Sequence, residues 1–189
     1  MSRLPATLER LWNLAGGDPR DSEADWNATF DPVGLILLAP PRNFGYWCTP
    51  TNSTTFATTG GDGVHFGWVG LPIQDVDFWP IVMTVPMWDS SNLIVGASLR
   101  EFLALGCRFG YFSLEQLVYD FPNTVAILRS GEFDEEAGGT ERALLARLTS
   151  EFSLVPWPDP ESRLQALQEQ FSSALELPDR DGVEQSGNE

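Results

Sequence analysis

Apolar positions change their period along the chain, and the changes predict where helices give way to strands. Leu4, Leu8, Leu11 and Trp12 recur at the spacing that places side chains on one helix face, and Gly16-Gly17 follows as a left-handed stop. This predicts a first helix over Pro5 to Ala15. Asp18 to Asn27 is polar and rich in Asp and reads as a loop. Val33 to Ala39 is a continuous apolar run ended by Pro40-Pro41, a length and context that favour a buried strand over a helix.

From Phe44 to Gly96 the pattern becomes short β-branched and aromatic runs broken by turn residues. Ser53 to Thr59 and Val64 to Val69, joined by Gly60-Gly-Asp-Gly63, predict a hairpin in which Val64, Phe66 and Trp68 share a face. Pro80 to Val85 and Asn92 to Gly96 predict two further strands, with Trp88 and Asp89 in their connection. Helical signals then return. Ser98 and Glu101 have the spacing of a capping box ahead of Leu99, Phe102 and Leu103, and Ser113 to Gln116 repeats it ahead of Leu117 and Val118. Thr124 to Leu128, with its β-branched residues, is expected to add a strand, and Gly131 to Gly139 an acidic loop.

Two amphipathic helices close the pattern. One covers Thr140 to Phe152, with Leu144, Leu145, Leu148 and Phe152 at helical spacing. The other starts from Asp159 as N-cap and Pro160 at the first helical position, with Leu164, Leu167, Phe171 and Leu175 on one stripe. Residues 178–189 are polar and acidic and are expected to form a disordered tail. The sum is an α+β fold over residues 1–177, a single domain in which helices pack on one mixed or antiparallel twisted sheet.

Charge narrows the function classes. The 189 residues carry a net charge of −16, from 27 acidic and 11 basic residues, and every basic residue is Arg. Phosphate contacts need clustered Lys or Arg, so this balance argues against nucleic acid and against an anionic membrane surface as partner. A basic protein surface would instead be attracted, with faster encounter at low salt. Pro5, Glu9 and Arg10 interrupt the stretch in which a secretion signal would need its apolar core, and the longest apolar run is far below the roughly 20 residues of a membrane span. The expected location is the cytoplasm. Cys48 and Cys107 are too few for a disulfide framework and are expected to be reduced and buried.

Candidate chemistry centres on His65, the only histidine. Any imidazole base must use it, and Asp62 in the adjacent turn makes a small enzyme or ligand-binding pocket near His65 and Asp62 the alternative reading. No Ser or Cys stands in a nucleophile motif beside it. The Gly60 to Gly63 turn lacks the phosphate-loop pattern, and neither Asp18, Asp21 and Asp25 nor Asp75 and Asp77 have calcium-loop spacing, so no cofactor or metal is expected. Asp75 and Asp77 with Trp79 and Trp88 also have the residue types of a sugar site, but a surface-glycan binder would need a secretion route. Together Asp75, Asp77, Trp79, Trp88 and Asp89 combine charge with aromatic anchors, the composition of a protein-binding surface.

Phe56-Ala-Thr-Thr-Gly-Gly-Asp-Gly-Val-His-Phe66, then Pro80-Ile-Val-Met83, then Val95-Gly-Ala-Ser-Leu-Arg-Glu-Phe-Leu103 follow one another in an order that resembles the SUKH superfamily. That family includes yeast cell-wall-assembly regulators and many bacterial immunity proteins. The resemblance implies one mixed sheet with packed helices and a non-enzymatic role: direct binding of a toxin domain, often a nuclease. It spans Phe56 to Leu105 and carries over no active site. The N-terminal third and the stretch after Leu128 depart from the family pattern. An acidic exterior independently suits a partner that must cover a basic toxin surface.

Overall fold

The computed structural model describes residues 4–21, 23, 25–72, 75–88, 91–130 and 138–179. Among the described residues, six strands in sequence order form one antiparallel sheet: β1 (Asp25–Phe30), β2 (Leu35–Arg42), β3 (Ser53–Thr58), β4 (His65–Val69), β5 (Ile81–Thr84) and β6 (Asn92–Gly96). Every connection is a return, so the turns after β1, β3 and β5 gather at one end of the sheet and those after β2 and β4 at the other. Around it are α1 (Ala6–Ala15), α2 (Leu99–Gly106), α3 (Gln116–Tyr119), α4 (Phe121–Ser130), α5 (Gly139–Phe152) and α6 (Pro160–Phe171). The α+β architecture is the one the periodicity predicts, with the sheet antiparallel throughout.

Strand alternation divides the apolar residues between two faces. Leu35, Leu37, Phe56, Phe66, Trp68, Ile81 and Met83 join Leu8, Leu11 and Trp12 of α1, Phe102 of α2 and Leu145, Leu148 and Phe152 of α5 in the main core. Phe102 lies among other rings there, 4.8 Å from Phe66 and 5.1 Å from Tyr111 between centroids. Val69, Val82 and Ile94 point to the opposite face, where Leu167 and Phe171 cover them. Leu164, one turn earlier on α6, belongs to the main core, so α6 straddles the β6 edge and serves both faces. At that edge the Gln168 side chain acts as a peptide surrogate: Oε1 accepts the Ile94 N–H at 2.9 Å and Nε2 donates to the Ile94 carbonyl at 2.8 Å. Beyond α6, the chain bonds to the β2–β3 connection, with Asn52 Nδ2 donating to Ala174 O and the Thr51 N–H to Glu176 O.

Local signals explain most boundaries. Gly16 ends α1 at φ +77°, the Ser98 hydroxyl accepts the Glu101 N–H at the start of α2, and the Asp159 carboxylate accepts the Ser162 N–H at the start of α6. Glu101 reaches back to the Ala97 N–H, one residue before the position a capping box uses, and its carboxylate takes a bidentate pair from Arg163 at 2.7 and 3.1 Å.

Four expectations are corrected. Asp18 to Asn27 is not all loop, because β1 begins at Asp25; Asp25 to Phe30 alternates polar and apolar residues, but at this edge Trp26 and Ala28 are exposed while Asn27 and Thr29 turn inward and donate to Ala15 O. Thr124 to Leu128 is helical and lies inside α4. Thr124, Val125 and Leu128 share its buried face, and Asp120 closes its start by accepting the Asn123 and Thr124 N–H groups, which outweighs the β-branched composition. Ser113 does not cap, since a single 3-10 turn over Phe112–Glu115 leads into α3. Gly138 and Gly139 of the expected acidic loop start α5. Residues 131–137 of that loop, and the expected tail from residue 180 onward, lie outside the described residues. Cys48 and Cys107 are buried free thiols, and among the described residues no helix is long and apolar enough to cross a membrane.

Candidate functional site

The end of the sheet that carries the turns after β1, β3 and β5 also receives α3. The geometry starts at Gly34, whose φ of +81° and lack of a side chain let the chain before α3 lie against the β1–β2 turn. A Cβ there would stand 2.5 Å from the Phe112 nitrogen. The Tyr111 N–H donates to Val33 O at 2.7 Å and fixes the approach. Phe112 thus lies against the β1–β2 turn, while Tyr119 is brought near Asp62 of the β3–β4 turn and to the β5–β6 connection, which holds Met87 and Trp88. Trp88 meets Tyr119 edge to face, with centroids 5.3 Å apart. The Val85 carbonyl accepts the Trp88 N–H, and the Ser91 hydroxyl donates to the Trp88 carbonyl.

These large side chains are open to solvent: Met87 is 74% exposed, Trp88 46%, Phe112 44% and Tyr119 37%. Carboxylates border them. Burial, and then the neighbouring Asp62 charge, push Glu115 above its ordinary carboxyl range, with a hydrogen bond to Gln116 opposing. Burial followed by the Glu115 and Asp62 charges raises the Tyr119 phenol in turn. Two carboxylates therefore stand close enough to repel, at a place where exposed aromatic area is concentrated.

His65 lies on the opposite sheet face from Phe66, as the alternation predicts, but it is 1% exposed. The Gly63 carbonyl lies 2.7 Å from Nδ1 and can only accept, so Nδ1 carries the proton; Nε2 then accepts from the Thr49 hydroxyl at 3.0 Å. Phe44 and Tyr46 cover the ring at 4.9 and 5.6 Å. Gly63, at φ +72°, leaves room for Tyr46, whose ring would be 3.1 Å from a Cβ there. The same β2–β3 connection is tied down by Asn92, whose Nδ2 donates to Cys48 O while its Oδ1 accepts from Thr84. Burial pushes the imidazole below its ordinary value, against the opposing Gly63 bond. Thr49 and His65 have the hydroxyl-to-imidazole contact of a nucleophile and base, yet Thr49 is 2% exposed and both lie beneath the aromatic lid.

The sequence-selected residues are thus distributed over several places. Asp62 is exposed and stands near Glu115, while the hydrogen bonds of His65 go to Thr49 and Gly63. Trp88 stands at the aromatic end, and Asp89 lies outside the described residues. Asp75, Asp77 and Trp79 follow β4 and sit at the other end. There Asp77 accepts the Ala6 N–H and caps α1, Asp75 accepts the Asp77 N–H, and Trp79 Nε1 donates to Leu71 O. Asp75 and Trp79 border a cleft of about 570 Å³ with Leu4, Pro41 and Trp68. Sequence reading missed Phe112, Glu115 and Tyr119; the four-residue spacing of Glu115 and Tyr119, which puts them on one helix face, was the available signal. Among the described residues, no group of three His, Cys, Asp or Glu side chains is placed to hold a metal. Comparison of the chain with family models, with curated proteins and with solved structures finds no match.

Proposed function

We propose that the chain is a non-enzymatic protein-binding module of the cytoplasm, an immunity-type protein of the SUKH kind that neutralises a basic toxin domain, a nuclease being the favoured class. The observation that carries this reading is the aromatic and acidic end of the sheet. Exposed Trp and Tyr are the residue types that anchor protein interfaces, and Trp88 and Tyr119 already brace each other there. Burial and the neighbouring Asp62 charge disfavour the Glu115 carboxylate more than its hydrogen bond to Gln116 favours it, so an incoming Lys or Arg would be drawn there. The net charge of −16 steers a basic domain toward the molecule and disfavours nucleic acid as the partner. His65 supports no competing reading as an accessible base, because both ring nitrogens are engaged beneath Phe44 and Tyr46.

The test is titration calorimetry with the basic toxin domain encoded beside this chain in its source genome. Binding should be submicromolar, and Trp88→Ala should weaken it about thirtyfold, the size of an interface hot spot. Glu115→Gln should weaken it most at low salt, whereas Asp75→Asn, at the far end, should leave affinity unchanged. Affinity should also fall with pH as the raised Glu115 carboxyl takes up its proton. Absence of binding at micromolar concentration, or full affinity in Trp88→Ala, overturns the proposal.

A further inference from the structure

Among the described residues, most arginine side chains are engaged within the molecule. Arg10, Arg20, Arg42, Arg129 and Arg163 pair with carboxylates, and Arg100 and Arg147 donate to backbone carbonyls. Among the described residues, the arginine side chains left without a hydrogen bond or ion pair are those of Arg108 and Arg142, and both line one pocket. It lies between the end of α2 and the outer side of α5 and has a volume of about 540 Å³. Leu145, Ala146 and Pro156 give it apolar walls, and Cys107 lies buried at its base. Burial holds the Cys107 thiol above its ordinary value, so it adds no negative charge to the site.

We infer that this pocket binds a small anionic amphiphile, a medium-chain carboxylate whose head group pairs with Arg108 and Arg142 and whose alkyl chain lies on Leu145, Ala146 and Pro156. Guanidinium groups take carboxylates in strong, charge-assisted hydrogen bonds, and two unpaired ones beside an apolar wall supply both halves of an amphiphile's requirements. The volume falls within the roughly 300 to 1,000 Å³ of small-molecule sites. The net charge of −16 disfavours anions on the molecule at large, which makes a place where two free described guanidinium groups meet apolar surface selective for one. The site is separate from the aromatic end of the sheet, and the inference does not depend on the protein-binding reading.

Calorimetric titration of the full chain with sodium octanoate tests this. The expected result is saturable one-to-one binding. Arg108→Gln and Arg142→Gln should each weaken it by about tenfold or more, the double variant should lose it, and the doubly Lys-substituted protein should retain a measurable part. Octylamine, with the same chain and the opposite charge, should not bind. Alkylation of Cys107 should slow when octanoate is present. Should the double Gln variant melt early, Ala146→Trp with both arginines intact must also abolish binding by filling the pocket. No binding of octanoate, equal binding of octylamine, or undiminished affinity in either the double Gln variant or Ala146→Trp overturns the inference.

Discussion

The single histidine illustrates how a side chain with catalytic potential becomes a fastener. His65 is neutral in the fold, with its two nitrogens in opposite roles: a donor to Gly63 and an acceptor from Thr49. Because burial lowers its folded pKa below the unfolded value of about 6.5, the unfolded chain takes up a proton first as pH falls. The contribution of His65 to stability is therefore complete above that value and declines below it until the folded group titrates as well. His65→Phe should cost about 1 to 3 kcal/mol at pH 7.5, since it orphans the Thr49 hydroxyl and the Gly63 carbonyl. In urea unfolding the gap between variant and parent should narrow as pH is lowered from 7.5 to 5. A constant gap would mean that the ring acts through packing alone. The alternation of Val64, Phe66 and Trp68 made the direction of His65 legible in the sequence. Its cover was not, because Phe44, Tyr46 and Thr49 return to it through a long connection with no periodic pattern.

At the level of elements, the legible parts are those whose signal is local. The β3–β4 hairpin, α5, and the Asp159-Pro160 start of α6 were each marked by a turn, a stripe or a cap. What escaped was decided by context: the alternation of β1 is short, overlaps the end of an Asp-rich polar stretch and exposes its apolar Trp26 and Ala28 at the sheet edge, and α4 buries β-branched residues on a helical stripe. The candidate site was legible only in part for a similar reason. Trp88 and Asp62 each stand out in a strand connection, but their meeting with Glu115 and Tyr119 depends on the seating of Phe112, in the turn before α3, against Gly34. The closure of the β6 edge by Gln168 was also invisible, since an exposed-looking Gln on a polar helix face carries no sign that it pairs with a strand. Gln168→Ala should cost about 1 to 2 kcal/mol and speed hydrogen exchange at the Ile94 amide, with a rising tendency to associate through the uncovered strand. Unchanged protection at Ile94 would show that the edge is held by the packing of Leu167 and Phe171 instead.

For the whole molecule, repulsion among excess carboxylates opposes compaction while the ion pairs of individual arginines are too few to balance it. Screening should then stabilise the fold. Between about 0.01 M and 1 M sodium chloride, where the screening length drops from roughly 30 Å to 3 Å, the thermal midpoint at pH 7.5 should rise by a few degrees. A fall across that range would assign the larger share to Arg163–Glu101, Arg129–Asp159 and the other pairs that salt also weakens.

The position of α6 across both sides of the sheet has a further consequence for how the protein is made. A ribosome delivers all six strands before Pro160, so a nascent chain at that stage presents Val69, Val82 and Ile94 bare beside an unguarded border strand. Folding during translation must wait for the last helix to emerge, and a stalled or clipped product lacking it becomes a natural client for chaperones that grip greasy β-surface.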